Sequence, residues 1–433
     1  MVSFTLSPTE STTRTAARSF ASTHLASAKE TYKSLPTPEQ RFQALKPVYT
    51  AAVSAGLIKA QIPQQLGGTG GSLIESAILV EEFYAVEASA SLTIFGTGLG
   101  LTPLVLAFRE EVGEFLEPFL VTDVEEGKGE GGPIASLVFS EPGGVANWLE
   151  PGAPGLQTTA YRDGDEWVLN GEKIWATSSA GWDFGGADLS CVVARCVDED
   201  VVKNASHPRD LILVLLVTRK DIDRNPGSFE VLKHIETVGH SAVSGPHVRY
   251  TNLRVPAKNL LCPPGEGAQV ITRTFEMSAM LVGAMGVGIQ RAIFDAALSF
   301  SQDTRGGTVP IAQRQAVGDL LVNIKMRTET SRYLTWKAAH SLAEGPGEHE
   351  SRREHALLAK VHCGEAAVQS ALDAINAVGV SAYNSELPFA ELLSTALVLP
   401  IFDGGNVGMR RRALQELITK AGYRPWFSTF GEE

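Results

Sequence analysis

The hydrophobic period of the chain changes twice, and that order limits what it can fold into. Up to about residue 130 the spacing is helical. Ala17, Phe20, Ala21, His24 and Leu25 set it first, and residues 45–57 and 74–86 repeat it. Ser7-Pro8-Thr9-Glu10 marks a helix start, with Ser7 as cap, Pro8 at the first position and Glu10 at the third. From Ile134 the period falls to two. Residues 134–139, 155–161, 166–170, 189–195, 210–218 and 247–253 read as strands, and Asp163-Gly164-Asp165 and Asn170-Gly171 as hairpin turns. After Cys262 the helical period returns over 268–301, 311–342, 354–378 and from Asp403 to about 420. We therefore expect an α+β fold with three domains. They are an N-terminal helical domain (1–132), a middle β-barrel or sandwich domain (133–262) and a C-terminal four-helix bundle (263–433). The polar, glycine-rich residues 125–133 read as the first linker.

Composition agrees with a folded chain and removes several partners. At 433 residues, 44% hydrophobic and 20% charged, it needs more than one core. A net charge of -12 argues against nucleic acid. With no run of 18 apolar residues, no membrane span is expected. Cys191, Cys196, Cys262 and Cys363 have no CxxC spacing, so reduced thiols and an intracellular, cytoplasmic protein are expected. The Ser/Thr-rich start, with Arg14 and Arg18, is read as structural helix instead of a transit peptide. The last residues, Phe430-Gly431-Glu432-Glu433, do not form a peroxisomal address.

The chemistry-bearing stretch is Leu399-Pro400-Ile401-Phe402-Asp403-Gly404-Gly405-Asn406, followed by Arg410, Arg411 and Arg412. If the helix starts at the turn, Asp403 and Arg410 share a face two turns apart. Arginines crowd a helix start, where the backbone dipole disfavours them unless an anion is near. Asp403 is then either a plain helix cap beside a solvated arginine face, or a site carboxylate. Gly67, Gly68, Gly70 and Gly71 lack the Lys-Ser/Thr of a phosphate loop, and Gly96, Gly98 and Gly100 lie within a helical pattern, where close packing is their use. His349, His355 and His362 lack the spacing of a metal site, so no metal is expected.

Two segments carry a family resemblance. Ser140-Glu141-Pro142-Gly143-Gly144 and Leu169-Asn170-Gly171-Glu172-Lys173-Ile174-Trp175-Ala176-Thr177 resemble the T-E-P-G-A-G-S-D and L-N-G-x-K-x-W-I-T signatures of the acyl-CoA dehydrogenase superfamily of flavoproteins. Asp403 aligns with the glutamate base of its Y-E-G-T segment, and Arg410 with an arginine seven residues on. The resemblance spans essentially the whole chain. Asp in place of Glu, and Val145-Ala146-Asn147 in place of G-S-D, make it most similar to the branch that oxidises nitroalkanes.

That resemblance implies FAD as cofactor, neutral nitroalkanes and molecular oxygen as substrates, and a homotetramer. The products would be an aldehyde or ketone, nitrite and hydrogen peroxide. Asp403 would abstract the α-proton, with Arg410 holding it ionised and Ser278 hydrogen-bonding it, and the carbanion would add to flavin N5. The resemblance places Leu137, Val138, Phe139 and Ser140 against the flavin ring, and Val145, Ala146 and Asn147 near its pyrophosphate. It runs Trp175, Ala176 and Thr177 past the ring, and sets Ile401, Phe402, Gly404 and Gly405 around the base. Arg305, Arg314 and Gln315, with Asn376, Ala377, Val378, Gly379 and Val380, would reach the flavin of a neighbouring subunit. Two alternatives remain: an acyl-CoA dehydrogenase with an Asp base, and a flavin-binding homologue without turnover.

Overall fold

The computed structural model describes residues 4–123 and 131–431. The linker expected at 125–133 therefore lies mostly outside the described residues. The first helix, Pro8–Phe20, begins as its sequence requires. The Ser7 hydroxyl accepts from the Glu10 N–H, and the Glu10 carboxylate accepts from the Ser7 N–H. Ser72 and Glu75 start Leu73–Tyr84 in the same way. Next comes the apolar helix Ala88–Leu106, whose small residues let it lie flat on the neighbouring strand. A Cβ at Gly100 would stand 2.4 Å from the Ala135 carbonyl carbon.

The strands are β1 (Ala135–Val138), β2 (Thr159–Asp163), β3 (Glu166–Lys173), β4 (Leu189–Cys196), β5 (Ile212–Thr218), β6 (Phe229–Lys233), β7 (His247–Pro256) and β8 (Leu260–Cys262). They form one mixed sheet in the order β6-β7-β3-β2-β4-β5-β8, with β1 joined to β4. β1 and β2 share one edge of β4, both parallel to it, at residues 189–192 and 195–196. Alternate residues separate two cores. Leu137, Cys191, Val193 and Leu216 pack towards the helices, whereas Val138, Leu169, Val192, Leu215 and Val248 converge in a second cluster. Residues from β1, β3, β4, β5 and β7 meet in that cluster, so the sheet curls over itself.

One expected turn is absent. Asp163-Gly164-Asp165 joins β2 to β3, but Asn170-Gly171 lies inside β3. The register with β7 shifts between Leu169 and Gly171, at a glycine with φ +141°. It is a bulge, and a Cβ there would lie 2.6 Å from Thr158 Cα.

The long helices Gly267–Asp303, Gln315–Glu344 and Glu354–Val378 pack on one another. The fourth bundle position differs from expectation. Phe389–Val398 packs on the first and third of them, while the helix after Asp403 is only Arg411–Ile418. Glu81 accepts from Arg291 and Arg332, each at 2.9 Å, and ties the N-terminal helices to this bundle. Ala88–Leu106 and Gly267–Asp303 are long and apolar enough to cross a membrane by length and composition; 72% of each apolar window is buried inside the protein.

Candidate active site

The two sequence signatures are joined by a buried ion pair. Glu141 accepts from the Gln157 N–H (2.6 Å), the Thr158 N–H (3.0 Å) and Lys173 Nζ (2.9 Å). Lys173 also donates to the Phe139 carbonyl at 2.8 Å, and the Ile174 N–H to the Ser140 carbonyl at 2.9 Å. Lys173 is fully buried; desolvation pushes its ammonium down to about 8, against the pull of Glu141. A buried charge pair of this kind fixes geometry more than it adds stability. Here it locks Phe139-Ser140 beside Ile174-Trp175. Trp175 follows at φ +67°, half-exposed, and the Ser136 hydroxyl donates to the Thr177 carbonyl at 2.7 Å. A Cβ at Gly96 would meet Thr177 Cγ2 at 2.7 Å, so the apolar helix braces this segment from behind.

Asp403 is neither a helix cap nor on a helix face. It sits in the left-handed region at φ +53°, followed by Gly404 at +74°. Its Oδ1 accepts from the Ser278 hydroxyl at 2.8 Å and its Oδ2 from Arg410 Nη2 at 3.1 Å. Arg410 spends its other donors on backbone. Nη2 reaches the Asp403 carbonyl at 2.6 Å and the Phe275 carbonyl at 2.8 Å, and Nε reaches the Asp403 carbonyl at 3.1 Å. Arg410 returns to Asp403 because residues Asn406–Arg410 form one wide helical turn. The side chains of both are nearly sealed, at 5% and 7% exposure. Desolvation raises the Asp403 carboxyl above its usual range; Arg410, Ser278 and Lys360 oppose it without overcoming it. Arg410 thus favours the ionised form, as expected of it, while burial opposes it.

The Asp403 turn and the signature segments are neighbours. The Phe139 ring lies 5.3 Å from Phe275, whose carbonyl holds Arg410, and 5.0 Å from Trp148. Arg412 donates to Asn147 Oδ1 at 2.7 Å and to the Ala146 carbonyl. The residues beside Asp403 fit a flavin. Cβ positions at Gly143 and Gly144 would meet nothing within 4 Å, leaving open space before 145–147. The buried hydroxyls of Ser178, Ser179 and Ser244 lack partners among the described residues.

Of the expected flavin residues, Phe139, Ala146 and Asn147 neighbour the Asp403 turn through Phe275 and Arg412, whereas the side chains of Val138 and Ala176 lie in the second core on the other face of the sheet; Leu137, Ser140, Val145, Trp175 and Thr177 lie on the same signature segments. Ile401 and Phe402 precede Asp403, 401 exposed and 402 half-buried. Arg305, Arg314 and Gln315 lie apart, exposed at the short hairpin Arg305–Gly306/Val309–Pro310 and the start of the next helix. Asn376–Val380 end the third long helix, with Val380 91% exposed. Two groups escaped the sequence reading. Lys360 and Asn406 are buried against the Asp403 turn. The buried His240, at φ +52°, has a ring 6.2 Å from Phe402 and 5.8 Å from Tyr84. Among the described residues no cluster of three metal-ligating side chains occurs.

Residues 7–126 match the N-terminal domain of acyl-CoA dehydrogenase, and residues 265–418 its C-terminal domain. A nitroalkane oxidase of Podospora anserina is 59% identical over 99% of both chains. The chain belongs to the acyl-CoA dehydrogenase family, in its nitroalkane oxidase branch. The nitroalkane oxidase of Fusarium oxysporum is 45% identical over 100% of this chain and 98% of its own. A nitroalkane oxidase active-site mutant crystallized with 1-nitrooctane superposes with a TM-score of 0.94, at 44% identity and full coverage of both chains.

Proposed function

We propose that the protein oxidises neutral nitroalkanes, using bound FAD, in a homotetramer. Nitroalkane, oxygen and water become an aldehyde or ketone, nitrous acid (released as nitrite) and hydrogen peroxide. The observation that carries this reading is the buried Asp403 carboxylate, held by Ser278 and Arg410 beside the flavin-fitting segments.

A nitroalkane is a carbon acid, and its α-proton yields to a carboxylate that is positioned and desolvated. Asp403 takes that proton onto a carboxylate oxygen. Ser278 and Arg410 fix both oxygens, so the carboxylate cannot rotate away. As the proton leaves, negative charge moves to the nitro group. The N–H groups of Asp403, Gly404 and Gly405 have no acceptor among the described residues and stand ready for it. Phe139, Phe275 and Phe402 keep water from the base. The flavin, when bound, accepts the electron pair and passes it to oxygen. Leu137 to Ser140, Val145 to Asn147 and Trp175 to Thr177 would hold it. Arg305, Arg314, Gln315 and residues 376–380 would reach the flavin of a neighbouring subunit.

The deciding experiment adds nitroethane to the purified yellow protein in air and follows oxygen uptake and nitrite. Both are expected in equal amounts. No turnover, together with bleaching of the flavin by an acyl-CoA, would overturn the reading in favour of a dehydrogenase.

A further inference from the structure

Lys360 is fully buried in the second turn of the Glu354–Val378 helix, yet it has no carboxylate bonded to it. Its Nζ donates to the Leu399 carbonyl at 3.0 Å and to Asn406 Oδ1 at 2.7 Å. Those acceptors stand at the two ends of the turn that carries Asp403. Asn406 extends the brace. Its N–H donates to the Pro400 carbonyl at 2.8 Å, and its Nδ2 to the Val361 carbonyl at 3.2 Å and to Glu365 at 3.3 Å. A buried ammonium is costly and is kept only where it serves a geometry or a charge.

We propose that Lys360 is the positioning residue of the base: its ammonium clamps both ends of the 399–406 turn and keeps a second positive charge behind the Asp403 carboxylate. This rests on Asp403 acting as the base. The Gly267–Asp303 helix supplies Ser278 and the Phe275 carbonyl, the following turn supplies Arg410, and the Glu354–Val378 helix supplies Lys360. His240, beside Phe402, is kept neutral because burial pushes it down to about 4. Glu365 is engaged by Arg411 at 2.8 Å, with His362 near it. Burial pushes Lys360 down to about 7 while Asp403 pulls it up and Arg410 pushes it down. Lys360 is therefore charged at pH values below about 7.

The test compares the parent with Lys360→Met, which fills the same space without charge, on holoenzyme with nitroethane. The acid limb of the kcat/KM profile is expected to move up by about one pH unit, because an opposing charge has been removed. A parallel titration of the Asp403 carboxyl carbon by NMR, in protein labelled at aspartate and assigned with Asp403→Asn, is expected to move equally. That reading needs no turnover. If the parent proves inactive on nitroethane while the titration still shifts, the oxidase reading fails and the clamp stands. If Lys360→Met does not fold, Lys360→Gln carries the same test, since it keeps a donor and loses the charge. An acid limb and a carboxyl titration both unchanged, with only stability or flavin content reduced, would refute the proposal.

Discussion

Replacing Gly404 with Ala tests whether the left-handed turn places the base. Two costs apply. At φ +74° a Cβ strains the backbone by about 1–2 kcal/mol. The same Cβ would stand 3.0 Å from Arg410 Nε and 3.2 Å from Cζ. The guanidinium cannot retreat by a few tenths of an ångström without stretching its 2.6 Å and 2.8 Å bonds to the Asp403 and Phe275 carbonyls. The strain therefore falls on the contact that orients the carboxylate. Displacement of a base by about 1 Å can cost roughly 100-fold, so a smaller shift should lower kcat/KM on nitroethane about tenfold. Gly164→Ala is the control. It has φ +58° with nothing within 4 Å of the added Cβ, so it should lose similar stability and no activity. Thermal midpoints, flavin content and steady-state rates are measured on all three proteins. An unchanged kcat/KM in Gly404→Ala, or an equal loss in Gly164→Ala, would refute the reasoning.

Burial also sets a pH dependence. The Asp403 carboxyl is raised on folding, so its protonated form favours the folded state. That contribution is present below the unfolded value and lost as pH rises through the folded one. Catalysis needs the ionised form, so the acid limb of kcat/KM should lie above the usual carboxylate value of about 3.9. Asp403→Asn should lose at least about 100-fold in activity, keep its flavin, and gain thermal midpoint over the parent as pH rises. A limb at the ordinary value would contradict the buried carboxylate. Glu141→Gln leaves Lys173 buried beside a weaker partner, at a cost of about 3–5 kcal/mol. It should lower the melting temperature and the bound flavin together, and retention of full flavin would separate the ion pair from the cofactor.

The period changes placed the helices and strands well because amphipathic spacing is written locally. Glu354–Val378 falls where the spacing put it. Asn170-Gly171 misled because glycine after asparagine serves a turn or a bulge alike; only the partner strand decides, and here β7 continues past it. Asp403, the proposed base, was legible as a residue type in a glycine turn. Its conformation was not, since φ +53° at Asp403 goes with Arg410, seven residues on, folding back onto its carbonyl. Lys360 was invisible for a similar reason. A lysine in a helix ordinarily faces water, and this one is buried only because a turn about 40 residues later closes over it.

That left-handed conformation also gives a physical reason for aspartate at this position. Asp enters the left-handed region more readily than longer side chains, and φ here is +53°. Asp403→Glu adds a methylene, which carries the carboxylate about 1.5 Å further from a backbone that Arg410 pins at its carbonyl. Ser278 on a long helix cannot follow, so its 2.8 Å bond to the carboxylate should be given up first. A hydrogen bond to a charged group contributes about 1.5–3 kcal/mol, or roughly 10–100-fold in rate. Asp403→Glu should therefore lose that much in kcat/KM with flavin retained. Ser278→Ala should cost a comparable factor in the parent and almost nothing in the Glu background, because the bond it removes is already broken. Losses that multiply in the double variant would mean that Ser278 follows the longer side chain, and that the turn does not dictate which carboxylate fits.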